Sequence, residues 1–155
     1  MGGEPVFIRE EDRGLYHAAL ASAANHLVGL VAEASDLLRD AGVANPGRML
    51  GPLLFAALDN ALRLGDAGLT GPVARADVDT LAAHVEVLGA ASPRALGAYL
   101  ALARLIASRS LDAGVLTAAD TQRVLDALGG APPGGGPGDG GPDGGAPADQ
   151  DGPRA

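Results

Sequence analysis

A long apolar stretch near the start of the chain, residues 15–38, most constrains what this sequence can fold into. Leucine, valine and alanine recur there at three- and four-residue spacing, the period of one face of an α-helix. We expect a helix that is capped by Asp12, ends at Gly42 and spans on the order of 45 Å. This first helix should be buried on most of its sides.

Capping residues, prolines and glycines divide the following residues into four shorter helices. Pro52 should kink or restart the second helix, which Gly65 ends, and residues 66–77 should form an ordered turn with one helical turn from Pro72. The predicted helix starts are Asn45-Pro46, Asp77, Ser92-Pro93 and Thr117, and the last two helices end near Asp112 and Leu128. The sequence predicts an all-α fold, a bundle of about five helices with short loops.

Both ends of the chain differ in composition from this helical domain, which covers residues 12–128. In residues 129–155, 17 of 27 are Gly or Pro and none has a large apolar side chain, so a disordered tail is predicted. Residues 136–141 of this tail match G-x-G-x-x-G by composition alone, without the strand and helix that a nucleotide site requires. At the other end, Pro5–Arg9 is a short β-type run, and residues 1–11 are predicted to be a remnant strand or linker.

Charge and residue usage exclude several functional classes. The net charge is −8, of which the tail carries −3, and no basic face is visible, so a nucleic-acid partner is not expected. All basic residues are arginines, which removes a Walker-A loop and a Schiff-base enzyme. The absence of Cys removes disulfides and thiolate sites, and three His without metal-type spacing predict no metal site.

The sequence also shows no recognisable targeting signal. The start of the sequence lacks the basic and apolar regions of a signal peptide, and no apolar run is expected to be long enough for a bilayer. The sequence therefore predicts a cytoplasmic protein without a membrane partner.

Polar residues on the first helix are candidates for a substrate cleft. His17 and Asn25 lie about 80° apart around a helix axis and roughly 12 Å apart along it, so both can face one cleft. The alternative is that neighbouring helices satisfy both side chains. His17 and His26 point to opposite sides of the helix and cannot share a metal ion. The simpler interpretation is a packing or interface role for His26 and a place at a polar edge for His84.

Three later residues complete the set of candidates. Asn60 places an amide late in an apolar helix, where it needs partners or caps the following turn. Thr70 can present a hydroxyl and free amides at a helix start, an arrangement that suits an anion, with Arg75 nearby. The alternative is a capped turn closed by an ion pair between Arg75 and Asp77. No nucleophile and base can be paired, so no catalytic residue is assigned.

Three segments, in this order and spacing, together resemble one protein family. They are Leu15–Leu20 with Ala24–Val28, then Ala57–Leu62, then Leu69–Asp77 followed by His84. The combination, over about residues 1–115, is similar to the C-terminal helical domain of bacterial Rossmann-like and domain-of-unknown-function (DUF) 2520 proteins. That domain is similar to the C-terminal domain of 6-phosphogluconate dehydrogenase.

The resemblance implies a function that the residues alone do not. In that family the helical domain follows a Rossmann-like NAD(P)-binding domain, and in related dehydrogenases its helices form the dimer interface and one wall of the substrate cleft. His17 and Asn25 would then face the cleft, and Thr70 and Arg75 would lie near the substrate or across the dimer. The chain is expected to be such a dimerisation and substrate-cleft domain of an oxidoreductase-like protein, with a small-molecule substrate and no cofactor of its own.

The sequence departs from that pattern at three places. Ala21 stands where the hydroxy-acid relatives carry a catalytic lysine, and Ala76 stands where the family usually has glycine. The Rossmann domain has no counterpart, which suggests a fragment or a gene start assigned too late. The alternative interpretation is a free-standing helical module for dimerisation or protein interaction, without enzymatic activity.

Overall fold

The fold is built from helices throughout the part of the chain that the computed structural model describes, residues 5–129. The α-helices are α1 (Arg13–Asp40), α2 (Pro46–Leu64), the single turn α3 (Gly71–Ala74), α4 (Val78–Ala91), α5 (Pro93–Asp112) and α6 (Ala118–Ala127). Two 3-10 segments, Glu10–Asp12 and Gly65–Gly68, precede α1 and follow α2. No strand occurs between residues 5 and 129, so the all-α prediction with its long first helix is confirmed. The predicted disorder of residues 130–155 lies outside the described residues.

Local capping explains where the last three long helices begin. The side chains of Asp77, Ser92 and Thr117 each accept a hydrogen bond from the backbone N–H three residues later, as a helix N-cap does. Two predicted glycine ends are also confirmed, because Gly42 and Gly65 adopt φ values of 88° and 56° that other residues rarely reach.

Two predicted helix caps were wrong. The Asp12 carboxylate does not cap α1, because it instead accepts from the Arg9 guanidinium at 2.6 Å. Asn45 makes no side-chain cap either, although α2 does begin at Pro46. Helix α2 continues through Pro52 without restarting, since the preceding Gly51 has no Cβ to clash with the proline ring. Pro5–Arg9 is not paired as a strand within the described residues, and its assignment as a remnant strand or linker stays a prediction.

The hydrophobic core lies in the second half of the domain. Its buried residues come from α3 to α6 and the residue that follows α6: Val73, Leu81, Ala103, Ala107, Val124 and Leu128. Tyr99, Leu100, Ile106 and Leu125 pack against this cluster. Helix α6 is held at its end by the Arg104 guanidinium, which donates to the Leu128 carbonyl at 3.1 Å.

Helix α1 differs from the prediction in its environment. It was expected to be buried on most sides, yet it contains no buried residue, and the only buried residue of α2 is Pro46. The two helices pack on each other, but the core helices cover little of either. The apolar stripe that predicted the helix is therefore exposed in the single chain.

Two ion pairs attach this outer layer to the core. Glu33 of α1 accepts from Arg94 at 2.7 Å and from the Ser92 hydroxyl at 3.2 Å, at the start of α5. Asp66, just after α2, accepts from Arg109 near the end of α5 at 2.7 Å. Each bond ties one outer helix to one end of α5.

One helical stretch, Glu10–Asp40, is long and apolar enough to cross a membrane by length and composition alone. This corrects the expectation that no apolar run reaches that length. Length and composition alone are weak evidence for a membrane span, because a core helix of a soluble protein and a signal sequence near the N-terminus meet the same criterion.

Candidate functional site: an apolar cleft and an exposed apolar face

A cleft of about 460 Å³ separates the C-terminal half of α1 from α3, α4 and α5. One face of each of the helices α1, α4 and α5 lines it. Helix α1 contributes Leu30, Glu33, Ala34 and Leu37, and α4 contributes His84 and Leu88. Helix α5 contributes Ala95, Ala98, Tyr99, Leu102, Ala103 and Ile106. The spacing of three and four residues explains why these side chains share a face. Its volume falls in the range of small-molecule sites.

Small side chains on α5 help to keep the cleft open. Three of the six α5 residues that line it are alanines, Ala95, Ala98 and Ala103, and larger residues there would fill part of its volume.

A histidine and a tyrosine form a hydrogen-bonded pair in the wall of the cleft. His84 Nδ1 lies 3.0 Å from the Tyr99 hydroxyl, and the two rings meet edge to face with centroids 5.7 Å apart. Burial raises the pKa of the Tyr99 phenol above its usual value. The phenol therefore stays protonated near neutral pH, and the pair can donate or accept according to the histidine tautomer.

Glu33 is the one acidic side chain that lines the cleft. Its side chain is only 18% exposed, and its carboxylate accepts hydrogen bonds from the Arg94 guanidinium and the Ser92 hydroxyl. Ser92 also caps α5 by accepting from Ala95 N–H at 3.1 Å. Glu33 therefore serves first to hold α1 against the start of α5.

Thr70 is the predicted candidate that lines this cleft. It precedes α3, and its side chain makes no cap bond to that helix. Helix α3 has only four residues, too short for the dipole of an anion site. Its hydroxyl is a neutral polar group beside the apolar walls.

The turn after α3 contains Arg75 and Asp77, which were predicted to form an ion pair. Asp77 does not form the predicted ion pair with Arg75, because its carboxylate accepts from the Thr80 hydroxyl at 2.8 Å and the Thr80 N–H at 3.2 Å. These two bonds, and then the nearby charges of Arg75 and His84, lower the pKa of Asp77. Ala76 lies between Arg75 and Asp77 and is the one described non-glycine residue with a positive φ, 50°.

The other predicted site residues lie away from the cleft. His17 is about 20 Å from Leu30 along the axis of α1, and both His17 and Asn25 are exposed. Asn60 is exposed on α2, and its carbonyl faces Gly68. Arg75 is exposed beyond α3. Their assignment to a substrate cleft shared with another domain remains a prediction.

Sequence reasoning missed Tyr99 and Glu33, and expected His84 only at a polar edge. The available signal was Tyr99 itself, a phenol on the same helical face as Ala95, Leu102 and Ala103. His84 lies 15 residues away, and only the packing of α4 on α5 joins the two.

A second feature is the apolar face of α1 and α2. Val28 is 70% exposed and Phe55 is 77% exposed, and Leu20 and Leu62 are also exposed. A groove of about 450 Å³ between the two helices is lined by Leu27, Val31, Gly47, Leu50, Gly51, Leu54, Phe55, Ala57 and Leu58. Exposed apolar surface of this kind marks an interaction site.

The described residues show neither a dinucleotide-binding motif nor a cluster of metal ligands. Residues 5–129 contain no strand and glycine-rich turn that fit a dinucleotide, so the described residues do not fit NAD(P). Within that range, no three His, Asp or Glu are grouped to hold a metal ion. The described part of the chain offers a cleft and an apolar face.

Comparison with known proteins identifies the family. No curated protein and no solved structure matches this chain. Residues 1–106 match the family described as Domain of unknown function (DUF2520). The match covers more than half of the chain and includes α1 to α4 and most of α5. This chain is therefore a member of the DUF2520 family.

Proposed function

We propose that this chain is the C-terminal dimerisation and substrate-cleft domain of an NAD(P)-dependent oxidoreductase-like protein of the cytoplasm. The cofactor would bind to a Rossmann-like domain outside the described residues. The resemblance set out above supports the oxidoreductase part of the proposal. The exposed apolar face of α1 and α2 supports the dimerisation part.

That apolar face is the observation that carries the proposal. Val28 and Phe55 lie on the two adjacent outer helices, and both are largely in contact with solvent in the single chain. Removing such side chains from water contributes about 1.5–3 kcal/mol for each one fully buried. A second copy, packed through the same face in a two-fold arrangement, would cover both helices at once.

Polar side chains on the same helices favour a protein partner over lipid. His17, Asn25 and His26 lie along α1, and Asp59 pairs with Arg63 on α2 at 3.1 Å. Polar and charged groups are costly inside a bilayer, whereas a protein interface can supply hydrogen-bond partners.

The mass of the protein in solution tests the dimer. Light scattering with size exclusion should give about twice 15.3 kDa. Phe55→Glu should shift the protein towards the monomer, because the interface would have to bury an unpaired charge. Leu105→Glu is the matched control, since Leu105 is also exposed but lies on α5. A monomeric wild-type protein at high concentration, or dissociation by the control alone, would refute the dimer.

A second experiment separates the oxidoreductase domain from the free-standing module. The alternative, a free-standing helical interaction module, is also supported by the exposed apolar face. The described residues contain no group of side chains arranged for catalysis. The natural protein should be detected in its own cells with an antibody against the helical domain. A mass near 15.3 kDa would favour the module, and a mass near twice that under denaturing conditions would favour an attached Rossmann domain.

A further inference from the structure

The cleft between α1 and α5 has walls that suit the body of an apolar molecule. Leu30 and Leu37 line one side, and Leu102 and Ile106 line the other. These four side chains have no hydrogen-bonding groups to offer. A ligand that removes these side chains from water is stabilised by the hydrophobic effect. It needs polar atoms only where it meets the polar side chains of the cleft.

The polar groups of the cleft suit a neutral head. The His84 and Tyr99 pair can donate or accept, because the proton between Nδ1 and the phenol oxygen can belong to either residue. The Thr70 hydroxyl has the same double capacity. A carbonyl or hydroxyl group needs partners of this kind.

The charges of the cleft disfavour an anionic head. Glu33 is negative, and its two oxygen atoms are already bound by Arg94 and Ser92. No arginine lines the cleft, and His84 is its only basic lining side chain. A phosphate or carboxylate would lose its hydration without gaining a fixed cation.

We propose that this cleft binds a neutral, mainly apolar small molecule whose single carbonyl or hydroxyl group lies against His84, Tyr99 and Thr70. The inference rests on the proposal that the domain forms a substrate cleft. It defines the substrate class as uncharged carbonyl or alcohol compounds and excludes phosphorylated ones.

A series of eight-carbon probes tests the ligand class on the full chain. Binding of octan-2-one, octan-1-ol, octanoate and octyl phosphate should be measured by isothermal titration calorimetry. The ketone and the alcohol should bind at least tenfold more tightly than the two anions. Equal or tighter binding of octanoate or octyl phosphate would overturn the proposal.

Variants locate the binding. Ala98→Trp fills the cleft and should abolish binding of the ketone, whereas Ala101→Trp, at an exposed position on the same helix outside the cleft, should leave it unchanged. Tyr99→Phe removes one hydrogen-bonding group and should weaken binding of the ketone about fivefold, with a smaller effect on a plain C8 alkane. Circular dichroism checks that each variant is folded. Unchanged ketone binding by a folded Ala98→Trp protein would place the probe elsewhere and refute the site.

The outcome is independent of the dimer test. A monomeric protein that binds the ketone would refute dimerisation and keep the ligand class. A dimeric protein that binds none of the probes would refute the ligand class and keep dimerisation.

Discussion

At the scale of single residues, Asp77 links the stability of the domain to pH. Its pKa in the folded protein is lowered below 3.8, first by the Thr80 hydroxyl and then by the Thr80 N–H. Because a lowered carboxyl pKa stabilises the folded state only while the group is ionised, this contribution is complete above the unfolded pKa. It is lost as the pH falls through the lower, folded pKa.

Asp77→Asn should remove this pH dependence, because the amide oxygen can still cap α4 but does not titrate. Chemical unfolding of both proteins between pH 6 and pH 2 should show a shallower loss of stability for the variant below about pH 4. Asp79→Asn, in the same helical turn and exposed, is the control. Identical slopes for the wild type and Asp77→Asn would show that this carboxylate is not linked to folding.

Residue-scale features were predictable where they depend on near neighbours in the sequence. The caps at Asp77, Ser92 and Thr117 follow from a side chain and an N–H three residues apart. The cap at Asp12 failed because Arg9, also three residues away, competes for the same carboxylate. The left-handed backbone of Ala76 had no signal in the residue itself, since alanine disfavours that conformation.

At the scale of helices, the contact between α2 and the 3-10 segment after it depends on a glycine. A Cβ added at Gly68 would lie 3.2 Å from the Asn60 carbonyl oxygen and 3.4 Å from its carbonyl carbon. These are backbone atoms of α2 and cannot move as a side chain would. Gly68→Ala should therefore lower the free energy of unfolding by about 1–3 kcal/mol, the usual cost of overpacking.

Gly89→Ala provides the opposite case within α4. A Cβ there would meet only Leu96 Cδ2, at an ordinary 3.6 Å, so the variant should gain about 0.5–1 kcal/mol from helix propensity. Urea unfolding of both variants measures the two changes. A stabilised Gly68→Ala protein would mean that α2 and the 3-10 segment are not packed this closely.

Packing between helices was the part of the site that the sequence could not predict. Helical periodicity places Ala95, Tyr99 and Leu102 on one face of α5, but it does not show which helix faces them. His84 meets Tyr99 because α4 packs on α5. The same periodicity predicted that α1 is buried on most sides, whereas among the described residues no residue of α1 is buried.

At the scale of the whole molecule, the domain has a buried core and an exposed outer layer. Ala107 and Val124 are fully buried among α3 to α6, whereas α1 has no buried residue and is tied to α5 through Glu33. The free energy needed to open a segment locally is higher when the segment makes more buried contacts. In the monomer, residues 13–29 should open far more readily than α5 and α6.

Hydrogen exchange at two protein concentrations tests this arrangement and its link to dimerisation. At low concentration, amides of residues 13–29 should exchange at least tenfold faster than those of α5, because α1 can open without unfolding the core. At high concentration a second copy should cover α1 and α2 and slow exchange there, while α5 and α6 change little. The Phe55→Glu protein should lose this concentration dependence. If residues 13–29 were as protected as α5 at the lowest concentration, the single chain would already stabilise α1, and its exposed apolar face would need another explanation.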